Sequence, residues 1–190
     1  ELTYAGQEVA ITETAGNLYN ESQKVKISLS KVLEQNELFG IGMNGELKNI
    51  IFGLYAKTDL VADDGTVIPA GGLIEIVTFD DNGMATVSAD LPLGSYYLQE
   101  RSTDEHYILA DTHYEFEFSY GSQETHMVEI SVNGGDPIKN DLKYAMISGR
   151  KVDEDGHVIA GAIFGLFRND ENEYTAENAY LTAESAQDGT

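Results

Sequence analysis

Val25-Lys26-Ile27-Ser28-Leu29-Ser30-Lys31 is the stretch that decides how this chain reads. Val25, Ile27 and Leu29 take every second position, with lysines and serines between them. Side chains of a strand alternate between its two faces, so one face here is apolar and the other wet. Lys31 falls in phase with the apolar row, at its end. The period of two predicts a strand; the charged residue on its inward face needs a separate explanation.

The same alternation recurs in Phe116, Phe118 and Tyr120, and again in Val128, Ile130 and Val132. Turn signals separate the runs: Asp64-Gly65, Pro69-Ala70-Gly71-Gly72, Asn82-Gly83, Asn133-Gly134-Gly135 and Asp155-Gly156. Long helical periodicity is absent, although residues 173–187 could form one helical turn or two. Many short strands joined by glycine-rich turns predict an all-β sandwich.

The chain also repeats itself. Ile50-Ile51-Phe52-Gly53-Leu54-Tyr55 reads like Ala162-Ile163-Phe164-Gly165-Leu166-Phe167. Each follows a segment ending in lysine, Lys31 in one case and Lys151 in the other. Lys31 stands 21 positions before Phe52, and Lys151 stands 13 before Phe164. The first copy therefore carries about eight extra residues, placed in the glycine-rich stretch from Phe39 to Asn49. Asn20 precedes Lys31 by 11 positions and Asn140 precedes Lys151 by 11, a repeat of 120 residues. This register divides the chain into residues 1–22, the last strands of one repeat, residues 23–142, a complete repeat, and residues 143–190, the first half of the next.

Phase marks two further polar residues. Glu100 is in phase with Tyr96 and Leu98, and Asn140 with Ile138 and Leu142. A lysine, a glutamate and an asparagine thus fall on inward-facing positions of the complete repeat. An isolated buried charge costs several kcal/mol, so each requires a partner. The simplest arrangement is that they partner one another.

The pattern now has four parts: a strand ending in Lys31, the segment Ile51-Phe52-Gly53-Leu54-Tyr55, the run Leu91-Pro92-Leu93-Gly94-Ser95-Tyr96-Tyr97-Leu98-Gln99-Glu100, and a final strand with Ile138-Lys139-Asn140. It resembles the CnaB or SpaA-type (prealbumin-like) repeats of Gram-positive pilins and cell-surface adhesins, over the whole of residues 23–142 and in truncated form over both flanks. The resemblance implies a Greek-key β-sandwich, immunoglobulin-like in outline, in tandem repeats. It also implies a spontaneous isopeptide bond between Lys31 and Asn140, assisted by Glu100 as catalyst. Asn20 and Lys151 take the equivalent positions in the incomplete repeats, where each lacks its partners. The sequence departs from the family after the glutamate. Arg101-Ser102-Thr103-Asp104-Glu105-His106-Tyr107 stands where members usually carry Ala-Pro and then Gly-Tyr, and only Tyr107 is retained. The residues alone equally admit an ordinary Lys31–Glu100 ion pair near the sandwich edge, with Asn140 hydrogen-bonded beside it.

The chemistry implied is consistent with burial. A lysine amine is a nucleophile only when neutral, and burial lowers its pKa. Burial favours the protonated form of a glutamate, which could polarise the Asn140 carbonyl and carry a proton to the departing ammonia. Fixed proximity removes most of the entropic barrier.

Composition narrows the remaining classes. Eleven Lys plus Arg against 33 Asp plus Glu give a net charge of −22, which disfavours nucleic acid and anionic membrane as partners. There is no cysteine, so disulfides, iron–sulfur clusters and thiol catalysis are excluded. No apolar run is long enough to span a membrane as a helix. Asp153-Glu154-Asp155-Gly156 resembles part of a calcium loop but lacks the further ligands of an EF-hand, and reads as a β-turn. The four histidines show no zinc spacing. The expectation is a module without metal or cofactor, extracellular and anchored to the cell wall, not an enzyme on an external substrate. Its partners are the neighbouring repeats of its own polypeptide. In the alternative, a ligand-binding adhesin, they include host protein or glycan met by the insertion 39–49 or the loop 101–113.

Overall fold

The computed structural model describes residues 22–62 and 64–190. Its strands are β1 (Lys24–Leu33), β2 (Ile51–Ala56), β3 (Leu60–Val61), β4 (Val67–Ile68), β5 (Leu73–Thr78) and β6 (Met84–Ala89). They continue with β7 (Gly94–Ser102), β8 (Tyr114–Phe118), β9 (Met127–Ser131), β10 (Ile138–Asn140), β11 (Ile163–Leu166) and β12 (Leu181–Glu184). Two short 3-10 turns cover Glu46–Asn49 and Val132–Gly135.

Two sheets make the sandwich. In one, β1 is central. It pairs antiparallel with β6 along one side, and on the other runs parallel first to β9 and then to β10. The second sheet has the order β5-β2-β7-β8, antiparallel throughout. β9 and β10 act as one closing strand interrupted by the Val132–Gly135 turn. Asn133 and Gly134 there adopt left-handed backbone (φ 56° and 66°), which shifts the chain before it rejoins β1. The first and last strands of residues 23–142 therefore lie side by side, pointing the same way.

The alternation seen in the sequence sets the core. From the first sheet Val25, Ile27, Leu29, Ala85, Val87 and Ile138 are buried; from the second Phe52, Leu54, Val77, Tyr96, Leu98 and Phe118. Each large side chain removed from water contributes about 1.5–3 kcal/mol. Buried Tyr96 keeps its hydroxyl satisfied by donating to the Pro92 carbonyl, so Leu91-Pro92-Leu93-Gly94 is a turn into β7.

Residues 143–190 contain the hairpin β11–β12, and the helical turn or two allowed for residues 173–187 comes down to one. Residues 173–187 hold no helix. A single Ala179 N–H to Thr175 carbonyl bond (3.2 Å) makes one turn, and Leu181–Glu184 is then strand. The edge of β11 is the stronger template, since it offers a row of backbone partners to the segment. Asn20 and all of the expected segment 1–22 except Ser22 lie outside the described residues.

Candidate functional site

Lys31, Glu100 and Asn140 meet. Their relative exposures are 1%, 4% and 2%, and each continues an apolar row: Val25-Ile27-Leu29, Tyr96-Leu98 and Ile138. Lys31 and Asn140 come from neighbouring strands of one sheet, where the parallel register sets Lys31 opposite Ile138 and Leu33 opposite Asn140. Glu100 comes from the facing sheet, opposite Phe52 on β2. The three side chains bridge the sandwich at one end of its core.

The Lys31 amine donates to Asn140 Oδ1 at 2.5 Å and to the Ile138 carbonyl at 3.3 Å. Its distance to Glu100 Oε1 is 3.9 Å. Asn140 Nδ2 donates to Glu100 Oε1 at 2.8 Å and to Thr103 Oγ1 at 2.9 Å. Glu100 Oε2 accepts the Ala110 N–H at 3.0 Å. Among the described residues no buried side-chain polar atom is left without a partner.

Burial pushes the Lys31 amine down from 10.5 to about 8, against the opposing pull of the Glu100 and Asp141 charges. With a pKa near 8, roughly one amine in ten is neutral at pH 7, against fewer than one in a thousand for a free lysine. The neutral amine would face the amide it already touches. A protonated glutamate is expected against the Asn140 carbonyl; Glu100 instead lies against the amide nitrogen. An ammonium only donates and a carboxylate only accepts, so the amide turns its oxygen to Lys31 and its nitrogen to Glu100. Glu100 thus stands beside both the Lys31 amine and the Asn140 amide nitrogen.

Sequence reasoning missed Thr103 and Ala110. Both lie beyond β7, where the alternation that assigned Glu100 no longer runs. A hydroxyl three residues after an inward glutamate is the one available signal for Thr103. Lys151 lies outside this cluster, its amine bonded to the Val152 carbonyl at 2.9 Å.

Residues 41–134 match the family described as SpaA, a prealbumin-like fold domain. This segment is a SpaA-type prealbumin-like domain. Glu100 falls inside the matched residues; Lys31 and Asn140 fall outside them. Among solved structures, the Bacillus anthracis TIE protein is similar over 90% of this chain, with 18% identity and a TM-score of 0.52. The minor pilin GBS52 of Streptococcus agalactiae matches over 68% of this chain and 49% of its own, with 17% identity and a TM-score of 0.41. BcpA, the major pilin subunit of Bacillus cereus, matches over 62% of this chain and 29% of its own, with 20% identity and a TM-score of 0.34. The chain spans 26% of the length of the TIE protein, and at such identity the likeness is one of fold. No curated protein sequence matches the chain.

Around the SpaA domain, two other features bear on function. Asp153, Asp155 and His157 bring potential ligand atoms within 4.8 Å of one another, all three exposed. Asp153 Oδ1 already accepts the N–H groups of Asp155 (3.0 Å) and His157 (2.8 Å), which is the chemistry of a turn closing the Val152–Val158 bridge. No helix among the described residues is long and apolar enough to cross a membrane.

Proposed function

We propose that the chain is a structural stalk or pilin-type segment of a Gram-positive surface protein, extracellular and held at the cell wall. Its SpaA domain is locked by an autocatalytic isopeptide bond between Lys31 and Asn140. The observation that carries this reading is the buried triad: amine on amide oxygen at 2.5 Å, carboxylate on amide nitrogen at 2.8 Å.

The reaction balances without a cofactor. The Lys31 ammonium gives a proton to Glu100, and the neutral nitrogen attacks Asn140 Cγ. The Nζ–Cγ bond forms and the Cγ–Nδ2 bond breaks. Glu100 returns the proton to Nδ2, which leaves as ammonia, and the second amine proton leaves to solvent. The reaction happens once per molecule; no external substrate is turned over. The bond would join β1 to β10, so tension entering along one terminal strand leaves along the other without loading the residues between.

Residues 143–190 fit the first half of a following repeat. The Lys31 N–H bonds the Gly83 carbonyl at 2.7 Å, and the Lys151 N–H bonds the Gly189 carbonyl at 2.8 Å. β2 sets Ile51, Phe52, Gly53 and Leu54 against Thr78, Val77, Ile76 and Glu75 of β5. β11 sets Ile163, Phe164, Gly165 and Leu166 against Glu184, Ala183, Thr182 and Leu181 of β12, the same four-residue register. Lys151 is the counterpart of Lys31 in that half.

Intact mass tests the cross-link. The expected mass of the wild-type chain is one ammonia below the sequence mass, with the full sequence mass in Lys31→Ala and Glu100→Ala. A wild-type chain at full sequence mass would refute the bond and leave the fold standing. A second reading, a ligand-binding adhesin, rests on the exposed Phe39 and Met43 of the insertion, with Ile41 between them half-buried. Deleting residues 40–48 and measuring binding to host matrix protein or glycan separates the two, because undiminished binding excludes the insertion as the contact.

A further inference from the structure

The insertion Phe39–Asn49 and the residues leading into it form a more ordered object than an added loop requires. Asn36 and Ile41 exchange both backbone hydrogen bonds at 3.0 Å, which closes a tight turn with Leu38 and Phe39 near its tip. Glu46 clamps the next turn, its two oxygens accepting the Gly42 N–H at 2.8 Å and the Asn44 N–H at 2.7 Å. Tyr107, fully buried, donates its hydroxyl to the Glu34 carbonyl at 2.8 Å and ties the base of the loop to the sandwich. The loop is held rigid and aimed.

Two of its contacts reach the same destination. At the base, the Glu34 carboxylate accepts the Leu142 N–H at 2.9 Å and the Tyr144 hydroxyl at 2.7 Å, gripping the chain as it leaves β10. At the tip, the Phe39 ring packs on Tyr180 with centroids 5.0 Å apart and planes at 56°. Tyr180 is itself fixed. Its N–H bonds the Leu166 carbonyl of β11 at 2.8 Å, and the Arg168 guanidinium carbon lies 5.7 Å from its ring centroid. Phe39 of the insertion and Glu34 in the residues leading into it thus both reach residues 143–190, at Tyr180 and Tyr144, and the shorter Lys-to-Phe spacing of the second copy leaves no room there for such a segment.

We infer that the insertion is an inter-module strut whose partner is the segment 143–190 of the same chain, docked through Phe39 on Tyr180 and through Glu34 on Tyr144. The inference rests on the reading of residues 143–190 as the start of a following module. It gives the repeat a second means of stiffness. The cross-link would hold each module closed, and the strut fixes the angle between one module and the next. Relative motion is the default for modules joined by a short connection, so a stalk that projects a load gains from a contact that removes it.

The cysteine-free chain permits a direct test. Spin labels at Glu117→Cys on β8 and Glu173→Cys beyond β11 report the distance between the two parts by double electron–electron resonance. The wild-type background is expected to give a narrow distribution. Phe39→Ala is expected to broaden it, since relative motion is the default once the contact is lost, while Met43→Ala, an exposed residue of the same loop, leaves it narrow. Equal widths in the wild-type and Phe39→Ala chains would overturn the strut, as would equal broadening by Met43→Ala. Phe39 lies outside the core, so the thermal midpoint of the SpaA domain should not move. Intact mass on the same samples reads the cross-link separately. Broadening by Phe39→Ala alone, without ammonia loss, sinks the bond and keeps the strut; ammonia loss with equal widths does the reverse.

Discussion

Asn140 donates through Nδ2 to Glu100 Oε1 at 2.8 Å, and this contact joins the two sheets across the buried end of the sandwich. It also sets what each member of the triad does for the others. Lys31 supplies a charge that burial disfavours, Glu100 offsets it at 3.9 Å, and Asn140 makes one hydrogen bond to each.

Removing Glu100 therefore has two consequences. Glu100→Gln is expected to abolish ammonia loss, because the amide cannot shuttle a proton. It also leaves Lys31 as a buried ammonium without a counter-charge, which costs about 3–5 kcal/mol on top of the lost cross-link. The double variant Lys31→Met/Glu100→Gln should recover most of that cost, since no buried charge remains. Urea unfolding midpoints of the single and double variants measure it; a double variant no more stable than Glu100→Gln alone would contradict the account.

Thr103 gives a finer test. Its hydroxyl takes the second Nδ2 hydrogen and fixes the amide plane. Thr103→Val keeps the shape and removes the acceptor. A neutral hydrogen bond is worth about 1 kcal/mol, so the cross-linking rate should fall roughly fivefold with the final yield unchanged. Mass spectrometry at timed intervals after refolding reads the rate directly.

These residues also mark how far the sequence was legible. Lys31, Glu100 and Asn140 could be placed because each sits in a regular strand, where a period of two leaves one choice of face. Thr103 and Ala110 could not, because they follow the end of β7 and no period constrains them. The alternation of β1 likewise says nothing about its neighbours. That β9 and β10 run parallel to it depends on a long crossover, and the hint that the last strand returns to the first was the need of the inward-facing Lys31, Glu100 and Asn140 for one another as partners. Residues 173–187 were legible only as a turn or two, because helix-forming residue types there are not backed by an apolar stripe; after one turn the edge of β11 takes the segment as strand.

The Lys31 pKa of about 8 makes a prediction about pH. Asn140→Ala cannot cross-link and keeps Lys31 beside Glu100. In that variant the folded state releases the lysine proton near pH 8, whereas the unfolded chain holds it to 10.5. Between these values the unfolded state binds more protons, so stability rises with pH. Below about pH 8 both states are protonated and Lys31 contributes no slope. Tyr96 and Tyr107, pushed up to about 12 by burial, act in the opposite direction above pH 10, so the clean window is about 8 to 10. Chemical denaturation across that window should show a rising midpoint in Asn140→Ala and a flatter one in the cross-linked wild type, where Lys31 no longer titrates.

Gly83 offers a test of how the nucleophile is held in place. Its backbone is left-handed (φ 73°), its carbonyl accepts the Lys31 N–H at 2.7 Å, and a Cβ there would lie 2.1 Å from the Lys31 carbonyl oxygen. Gly83→Ala must push the turn away from the end of β1. Gly134 has a similar backbone (φ 66°), but a Cβ there meets nothing within 4 Å. Gly134→Ala should therefore cost only the left-handed backbone penalty, about 1–2 kcal/mol. Gly83→Ala should cost clearly more, and it should also slow cross-linking, because the strand end that carries the amine moves relative to Asn140. The proposed Lys31–Asn140 bond would close a chain separation of 109 residues, a constraint worth on the order of 4–5 kcal/mol against unfolding. Gly83→Ala chains that fail to react should consequently unfold at lower denaturant than those that do. Two populations, separated by mass and by midpoint in the same preparation, are the expected result; a single reacted population as stable as Gly134→Ala would show that the Gly83 contact does not position Lys31.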